Sequence, residues 1–524
     1  MDVDPTGSPV EHIDRTTLAA TSGRWWLAAL AVLLIGSVWH LQRPPGEDPS
    51  AVRNARLGLG VKAPGSDPLI LLGKLVLALG DTPQFSAALR GQIDAMSTAG
   101  KPESEPALAL REAMLLIAAG EPDAPPAQAV GFMSPPVVTI TGRLDSAAKA
   151  CDPASELLPD IALARSVLGA AHSGADPVQR RQAAAAAVGS LSAEQVAGLK
   201  SRHGWFAEVL LSAGDPGSAL VLTAKRQATR FMVLALVLGS VMVLAFLAGS
   251  VLLIVAAVML AQGRLRARMV RPPPIESDRP RWAANVWLET VCVFAGGFLA
   301  VKLVLLALQA NNAGGPTLTA VALGGNWALT TAIFWPVVRG LGWRDWRERI
   351  GWRTNRPGAS GFAREVGCGL LGYLCALPVM VATVLAAFII GILIKFLTGH
   401  EPISPRQVNK VEELLSGGPW ITLVVVLLAV VWAPVVEESI FRGALYRHLR
   451  RGWSVLAAGL VTSLAFAAMH PYALLQMIVV GALGIVFALV REWRGSIIPC
   501  AVAHFVQNTV AVTMLSQLGP LMRG

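Results

Sequence analysis

Two adjacent glutamates, Glu437 and Glu438, end a hydrophobic run that begins near Trp420. An ionised carboxylate is costly to hold in hydrocarbon, so acids at membrane depth usually mark a site that uses them. Arg442 follows Glu438 by four residues, in the order that favours an ion pair on one face of a helix. Glu437 is rotated by about 100° on the same helix and faces elsewhere. We therefore predict that one carboxylate is structural and that the other is free to react.

Two later apolar runs carry further polar side chains. Phe466 and His470 are four residues apart on one run, and His504 and Asn508 repeat that spacing on the last run. A buried carboxylate beside a histidine can orient and deprotonate a water, which is one way to hydrolyse an amide without a nucleophilic side chain. A histidine and an asparagine can donate hydrogen bonds to the oxyanion that then forms. Each piece alone also fits a structural ion pair, a helix end or a hydrogen bond between helices.

The composition places these residues in a membrane. Of 524 residues, 54% are hydrophobic and only 15% are charged, which is too apolar for an ordinary soluble protein. Crossing about 30 Å of hydrocarbon takes about 20 apolar residues. Apolar runs of that kind, two of them short, lie near 24–41, 229–262, 284–310, 317–341, 367–397, 419–437, 455–470, 474–491 and 496–516. We predict an all-α, polytopic membrane protein with about nine transmembrane helices and an α-helical extracytoplasmic domain between the first two.

The net charge of +10 comes largely from arginines in four loops beside the apolar runs. Cytoplasmic loops of membrane proteins carry such an excess, and all four loops fall on one side if the runs alternate. We therefore predict a cytoplasmic N-terminus, an external C-terminus and loops that contact lipid headgroups rather than nucleic acid. This topology puts Glu437 and Glu438 near the cytoplasmic face. The alanine- and arginine-rich composition indicates a multi-pass protein of the bacterial inner (cytoplasmic) membrane.

Shifts in composition divide the chain into six segments. They are predicted to be a cytoplasmic tail at 1–23, a transmembrane signal anchor at 24–41, an extracytoplasmic helical domain at 42–227, a transmembrane helix at 228–262, a basic, proline-rich linker at 263–283 and a membrane block at 284–524. Breaks between apolar helical patterns in the extracytoplasmic domain fit either a helical repeat or an irregular helical domain. Either would more often bind a protein partner than catalyse a reaction.

The polar residues of the membrane block occur in three ordered motifs. EESIFRG at 437–443 resembles the EExxxR motif, in its EExxFRG form, of the CPBP intramembrane proteases, which include the CAAX prenyl endopeptidases and bacteriocin-immunity proteins. FAAMH at 466–470 resembles the FxxxH motif of that family, and HFVQN at 504–508 resembles its HxxxN motif. The resemblance is confined to the C-terminal half, at most 284–524. Nothing about the extracytoplasmic domain carries over from it.

The resemblance implies a CAAX-protease-like intramembrane endopeptidase. Its substrate would be a membrane-embedded or lipid-proximal protein or peptide. Glu437 would pair with His470 to activate a water, and His504 would form the oxyanion site with Asn508. This domain would have the membrane-helical fold of the family.

The supporting residues implied by the resemblance are Glu438 and Arg442. A second hypothesis gives all the motif residues a purely structural role, in a non-proteolytic scaffold or immunity factor that binds a partner through 42–227. A transporter is a third hypothesis, since buried acids and histidines also relay protons. The protease is favoured, because a scaffold has no physical need for both a water activator and an oxyanion site.

Zinc is the alternative to metal-free glutamate catalysis. Glu437, His470 and His504 are suitable zinc ligands. Against zinc, no HExxH helix pairs two histidines on one face, and Asn508 is an unusual zinc ligand but a good oxyanion donor. We therefore expect no cofactor and retain zinc as the alternative.

Overall fold

A computed structural model of the chain describes residues 25–42, 68–79, 106–118, 139–173, 176–212, 215, 217–265, 285–398, 419–470, 472 and 474–521. The elements formed by these residues are all helical, and none of these residues lies in a strand. The predicted all-α class is confirmed. The predicted tail at 1–23, and the predicted linker beyond Leu265, lie outside the described residues.

Seventeen helices follow one another along the described chain. In chain order they are α1 (Trp25–Gln42), α2 (Pro68–Leu79), α3 (Pro106–Ala118), α4 (Ile140–Ala150), α5 (Leu157–Ala171), α6 (Pro177–Gly189), α7 (Ala193–His203), α8 (Trp205–Leu211), α9 (Ala219–Ala261), α10 (Val286–Ala310), α11 (Gly315–Val338), α12 (Trp343–Ile350), α13 (Gly358–Thr398), α14 (Pro419–Leu449), α15 (Val455–Ala468), α16 (Leu474–Arg494) and α17 (Ile498–Leu521). A 3₁₀ segment, Leu329–Phe334, lies within α11.

Seven of these helices are long and apolar enough to cross a membrane, and the protein is an integral, multi-pass membrane protein. They are α9, α10, α11, α13, α14, α16 and α17. Helices α1 and α15 are apolar but shorter. All nine predicted runs fall on helices, but a count of nine membrane crossings is not confirmed.

Contacts within the described chain form two compact units. The membrane unit lies within Met1–Pro44 and Val241–Thr513, and the polar unit lies within Pro45–Ser240 and Met514–Gly524. The predicted segment boundaries stay predictions, because contacts between residues do not locate the surfaces of a membrane.

Helix starts in the polar unit follow local capping signals. Asp176 accepts a hydrogen bond from the backbone N–H of Gln179, and Pro177 occupies the first position of α6. Ser192 and Gln195 form a reciprocal capping box at the start of α7. Such caps satisfy backbone donors that have no partner within the helix.

The core of the polar unit is apolar but also encloses charged side chains. Leu110, Met114 and Phe206 are fully buried in its hydrophobic cluster. Glu112 and Arg143 are buried beside them and form an ion pair of 2.6 Å. Burial of a charge is tolerated here because the opposite charge is buried with it.

A second buried carboxylate in the polar unit, Asp160, binds two side chains at the end of α7. It accepts hydrogen bonds from Nε and Nη2 of Arg202 at 2.7 and 2.8 Å, and it lies 2.9 Å from Nε2 of His203. Burial alone would raise the pKa of the Asp160 carboxyl, but hydrogen bonds from His203 and Arg202 outweigh burial and lower that pKa. Burial lowers the pKa of His203, and the hydrogen bond to Asp160 offsets only part of this effect.

Helix α14 lies at the centre of the membrane unit. The ring of Phe441 is edge-on to Phe294 of α10 and to Phe466 of α15, with centroid distances of 6.4 and 5.3 Å. Gly443 faces the end of α12 so closely that a Cβ there would lie 2.5 Å from Cγ1 of Ile350 and 2.9 Å from its carbonyl oxygen. Glycine is therefore the residue that lets α12 and α14 meet.

Three of the four basic loops meet at one end of the membrane unit. Arg450, after α14, forms an ion pair of 2.8 Å with Glu492 near the end of α16. Ser496, in the loop between α16 and α17, donates its hydroxyl to the carbonyl of Arg353 at 2.7 Å. Arg353 belongs to the loop between α12 and α13. These contacts hold the three loops together, and their position relative to the membrane stays a prediction.

Candidate active site

Helix α14 holds both predicted glutamates within an unbroken helix. The apolar run ends near residue 437, but the helix continues for 12 more residues to Leu449. At about 1.5 Å per residue, Glu437 lies about 18 Å from the end of the helix. The glutamates thus lie well inside the helix, although the apolar run ends at them.

Two π-helical segments lie within α14, one on either side of the glutamates. They are Leu428–Trp432 and Ser439–Leu445, with an α-helical turn at Ala433–Glu438 between them. Such segments are rare and occur mainly at functional sites. Each one shifts the angular positions of the residues that follow it, so the side chains around the glutamates do not keep a regular α-helical spacing.

Proline explains a contact between the first π-helical segment and α17. The N–H of Ala433 bonds to the carbonyl of Leu428, five residues back. The same register would pair Pro434 with the carbonyl of Ala429, but proline has no N–H to donate. Asn508 of α17 supplies the missing donor, since its Nδ2 lies 2.7 Å from the oxygen of Ala429.

Glu438 and Arg442 form the ion pair that their spacing predicts. Nη1 of Arg442 lies 3.0 Å from Oε1 of Glu438, and both side chains are fully buried. The same oxygen lies 3.0 Å from Nδ1 of His504. Glu438 therefore pairs with Arg442 and joins α14 to α17.

Arg442 is enclosed on several sides. Its Nη2 donates to the carbonyl of Gly484 in α16 at 3.3 Å. Its guanidinium lies 4.4 Å from the ring centroid of Phe466 and 5.3 Å from that of Phe487, which are cation–π contacts. Gly484 also allows a close approach of α15, because a Cβ there would lie 2.8 Å from Cβ of Ser463.

Glu437 turns away from that ion pair and faces two histidines. Its Oε2 lies 3.9 Å from Nε2 of His470 and 3.9 Å from Nε2 of His504. These distances are too long for direct hydrogen bonds. Oε2 is buried and has no hydrogen-bond partner among the described residues. The side chains of Glu437 and His470 keep exposures of 16% and 20%, so a small molecule can reach them.

His470 lies just beyond the end of a short helix. The 14 residues of α15 span about 21 Å, less than the roughly 30 Å of hydrocarbon, so a helix that starts at the membrane surface ends inside it. Nδ1 of His470 lies 2.8 Å from the carbonyl oxygen of Phe466. Because a carbonyl only accepts, Nδ1 carries the proton, and the neutral ring presents the lone pair of Nε2 to Glu437.

The tautomer of His504 follows from the same reasoning. The carboxylate of Glu438 is paired with Arg442 and only accepts hydrogen bonds, so Nδ1 of His504 carries a proton. Nε2 of the neutral ring is then an acceptor that faces Glu437. The contact with Glu438 orients the ring, as carboxylates orient functional histidines in many sites.

The structure therefore brings the three motifs together around one carboxylate. Residues 419–510 match the family model described as type II CAAX prenyl endopeptidase Rce1-like. The matched residues, here called the Rce1-like segment, contain all three motifs, and the family that the motifs indicate is confirmed for this part of the chain. The segment is that of a CAAX-protease-like enzyme. Comparisons with curated proteins and with solved structures gave no match.

The spacing of the donor atoms in the Rce1-like segment suits zinc poorly. Ligand atoms of a tetrahedral zinc, bound at about 2.0–2.1 Å, lie about 3.3 Å apart. Oε2 of Glu437 lies 3.9 Å from Nε2 of His470 and from Nε2 of His504. Among the described residues, no group of three or more His, Cys, Asp or Glu side chains has the arrangement of a metal site.

Two features of the Rce1-like segment had not been predicted. Asn508 is predicted to bind the oxyanion, but one N–H of its amide donates a hydrogen bond to the carbonyl of Ala429. The missing N–H of Pro434 was the sequence signal for it. The second feature is Tyr472, whose ring stacks on His470 with centroids 5.3 Å apart and planes 20° apart. No motif marks Tyr472.

Proposed function

We propose that this protein is an intramembrane endopeptidase that hydrolyses a peptide bond in a membrane-embedded or lipid-proximal protein. The observation that carries the proposal is the position of Oε2 of Glu437. It is buried, has no hydrogen-bond partner among the described residues, and lies 3.9 Å from Nε2 of two histidines. A buried acceptor without a partner is costly, and it is useful where a water or substrate completes the site.

A water fits between Glu437 and His470. Two acceptors 3.9 Å apart can each receive a hydrogen bond of about 2.8 Å from one water molecule. The water then donates one hydrogen to Oε2 of Glu437 and the other to Nε2 of His470. Its lone pairs remain free to attack, which is the arrangement that general-base catalysis requires.

Hydrolysis then takes two steps. The water oxygen bonds to the carbonyl carbon while Glu437 takes its proton, and the carbonyl oxygen receives the π electrons as an oxyanion. When the carbonyl re-forms, the C–N bond breaks and Glu437 returns that proton to the leaving nitrogen. The products are a carboxylic acid and an amine, and no covalent enzyme intermediate is formed.

We propose that His504 assists this reaction as an imidazolium. Its neutral form offers only an acceptor at Nε2, so donation to an oxyanion needs a second proton on the ring. With that proton, the positive charges of His504 and Arg442 balance the negative charges of Glu437 and Glu438. An electroneutral buried cluster costs less than one with a net charge.

Asn508 keeps one donor for the reaction in this proposal. One proton of its amide is committed to Ala429, and an amide group has two. We propose that the second proton contributes to the oxyanion site. Metal-free catalysis is likewise proposed, supported by the long separations between the donor atoms, with zinc as the alternative.

We also propose a location. The clustering of three basic loops at one end of the membrane unit supports a cytoplasmic position for that end. With the alternation of the spans, we propose an N-terminus in the cytoplasm, and from the alanine- and arginine-rich composition we propose a bacterial inner membrane. The polar unit is proposed to bind a protein partner or to position a substrate.

The function is tested by reconstituting the full chain in proteoliposomes with a panel of fluorescent peptides. The panel holds a farnesylated peptide with a CAAX C-terminus, its unprenylated form and several transmembrane peptides. We expect cleavage of at least one peptide, and a fall in kcat of about 10³-fold for Glu437→Gln and His470→Ala. Folded variants that cleave as fast as the wild type would exclude this mechanism, and a wild type that cleaves none would favour the scaffold.

A further inference from the structure

The proposed active site is short of hydrogen-bond donors. The three atoms that face one another, Oε2 of Glu437 and Nε2 of His470 and of His504, are all acceptors in the neutral-histidine state. One of the two N–H bonds of the Asn508 amide already donates a hydrogen bond to the carbonyl of Ala429. Amide hydrolysis needs donors aimed at the oxygen that becomes negative, and loss of one such donor costs about 10²–10³ in kcat.

Tyr472 brings an uncommitted donor to the same place. Its ring lies nearly parallel to that of His470, with centroids 5.3 Å apart, while Phe466 meets the same histidine edge-on, with centroids 4.8 Å apart. The hydroxyl of Tyr472 makes no hydrogen bond with any residue that the structure describes, and the side chain is half-buried.

The position of Tyr472 in the chain has a structural cause. Helix α15 ends at Ala468, and the connection to α16 begins there. His470 follows the end of α15 and lies 3.9 Å from Glu437, and Tyr472, two residues later, stacks on it. A residue placed on a turn between two helices can present its side chain to a substrate more freely than one within a packed helix face.

We propose that Tyr472 is a catalytic residue whose hydroxyl donates a hydrogen bond to the carbonyl oxygen of the scissile peptide bond. The phenol keeps its proton throughout, so it adds no step to the reaction and stabilises the oxyanion as the negative charge develops. This proposal rests on the proposed endopeptidase function. It gives the site a neutral donor that does not depend on a second proton on His504.

The two other tyrosines of the chain provide matched controls. The chain has three tyrosines. Tyr446 is committed to Glu492, to which it donates at 2.9 Å. Tyr373 is buried in α13, and its hydroxyl, like that of Tyr472, has no hydrogen-bond partner among the described residues. Tyr373 lies in the cluster formed with Leu377 and Phe487, so Tyr373→Phe removes an unpartnered phenol without changing the proposed donors.

The test uses the full chain in proteoliposomes and a peptide from the panel that the wild type cleaves. Tyr472→Phe keeps the ring on His470 and removes only the hydroxyl. We expect its kcat to fall about 10²-fold with KM changed less than about threefold, whereas Tyr373→Phe keeps the wild-type kcat. Tyr472→Leu, which also loses the stacking, should be slower than Tyr472→Phe. Thermal unfolding is measured on each variant.

A fluorinated tyrosine at residue 472 gives a second readout that does not depend on how well a variant folds. Fluorine makes the phenol more acidic, so the hydroxyl loses its proton, and with it the ability to donate a hydrogen bond, at a lower pH. The alkaline limb of kcat should move to lower pH for the substitution at 472 and should not move for the same substitution at 373. A purely structural Tyr472 would leave both profiles unchanged.

The outcomes separate this proposal from the function on which it rests. A wild-type kcat in Tyr472→Phe, with Glu437→Gln inactive, would overturn the role of Tyr472 alone. A wild-type kcat in both variants, or no cleavage by the wild type, would overturn the endopeptidase and Tyr472 with it. An unmoved alkaline limb would also overturn the donor role.

Discussion

The membrane unit and the polar unit each bury a carboxylate that binds one arginine and one histidine. In the membrane unit, Glu438 holds Arg442 and His504, each at 3.0 Å. In the polar unit, Asp160 holds Arg202 at 2.7 and 2.8 Å and His203 at 2.9 Å. The side chains that bind the two carboxylates are therefore of the same two types, one arginine and one histidine.

The difference lies on the far side of each histidine. Nε2 of His504 faces a second carboxylate, Glu437, which is partly exposed. Nδ1 of His203 is fully buried and has no hydrogen-bond partner among the described residues. A carboxylate that binds a histidine thus orients the ring, and this contact alone does not make the histidine reactive. It belongs to a reactive site when its other nitrogen meets a second polar group in a place that water can reach.

The largest effect is expected from Glu438→Gln. This change leaves Arg442 buried without its counter-charge and should lower the free energy of unfolding by about 3–5 kcal/mol. Thermal unfolding of the protein in detergent micelles measures the effect. Glu437→Gln is the matched control, since the Oε2 of that side chain has no bonded partner and its loss should leave the melting temperature near that of the wild type. Equal melting temperatures for the two variants would contradict the division of roles between the adjacent glutamates.

A smaller loss is expected from Asp160→Asn in the polar unit. Its partner Arg202 keeps 27% of its side chain exposed and can turn to water, so about 2 kcal/mol of stability should be lost. Hydrogen exchange of α5 and α7 in the full chain measures it. Peptide cleavage by this variant should keep the wild-type kcat. A fall in kcat comparable to that predicted for Glu437→Gln would show that the two clusters are functionally coupled.

Gly443→Ala should cost about 1–2 kcal/mol, because the new methyl group would collide with Ile350 and the helices must move apart. Gly459→Ala is the control. A Cβ at Gly459 would meet Cβ of Ala488 at an ordinary 3.5 Å. The melting temperatures of the two variants are compared in the same detergent. If Gly459→Ala were the more destabilising, the close contact of α12 with α14 would not explain the glycine at position 443 of the EExxFRG motif.

The smallest effect is a pH dependence confined to the polar unit. The pKa of His203 is lowered in the fold by burial, so folding favours the neutral ring. Its contribution to stability is complete above the pKa of an unfolded histidine, about 6.5, and is lost as the pH falls from there through the folded pKa. The pKa of Asp160 is lowered too, so its contribution is lost at still lower pH, below the unfolded value for an aspartate.

Hydrogen exchange of α5 and α7, corrected for the intrinsic rate at each pH, should show weaker protection at pH 5.5 than at pH 7.5. His203→Gln should remove most of this dependence, and exchange in His172→Gln, which changes an exposed histidine, should follow the wild type. Protection that increases on acidification would have the wrong sign for both lowered pKa values.

The sequence predicted the features that depend on residues close together in the chain. The apolar runs gave the helices of the membrane unit, and a spacing of four residues gave the Glu438–Arg442 pair, because the helix itself sets which residues share a face. Helix α14 continues to Leu449, past the apolar run at 419–437, because neighbouring helices bury and pair the polar and basic side chains that follow Glu437.

Contacts between segments far apart in the chain could not be predicted from the sequence. The bond between His504 and Glu438 joins residues 66 apart in the chain, and nothing in the spacing of either motif specifies which histidine nitrogen meets which glutamate. The family resemblance supplied the set of residues but not their tautomers. The stacking of Tyr472 on His470 depends on residues beyond the end of α15, where no helical spacing specifies which side chains meet.

The role of Glu437 as a metal-free base is tested most directly by one paired measurement of kcat. Wild-type protein and Glu437→Gln are stripped of metal with a chelator, reconstituted in the same proteoliposomes and supplied with a peptide that the untreated wild type cleaves. We predict that the stripped wild type keeps its full kcat and that Glu437→Gln is slower by about 10³-fold. A stripped wild type that is inactive and regains activity with zinc, or a folded Glu437→Gln as fast as the wild type, would contradict that role.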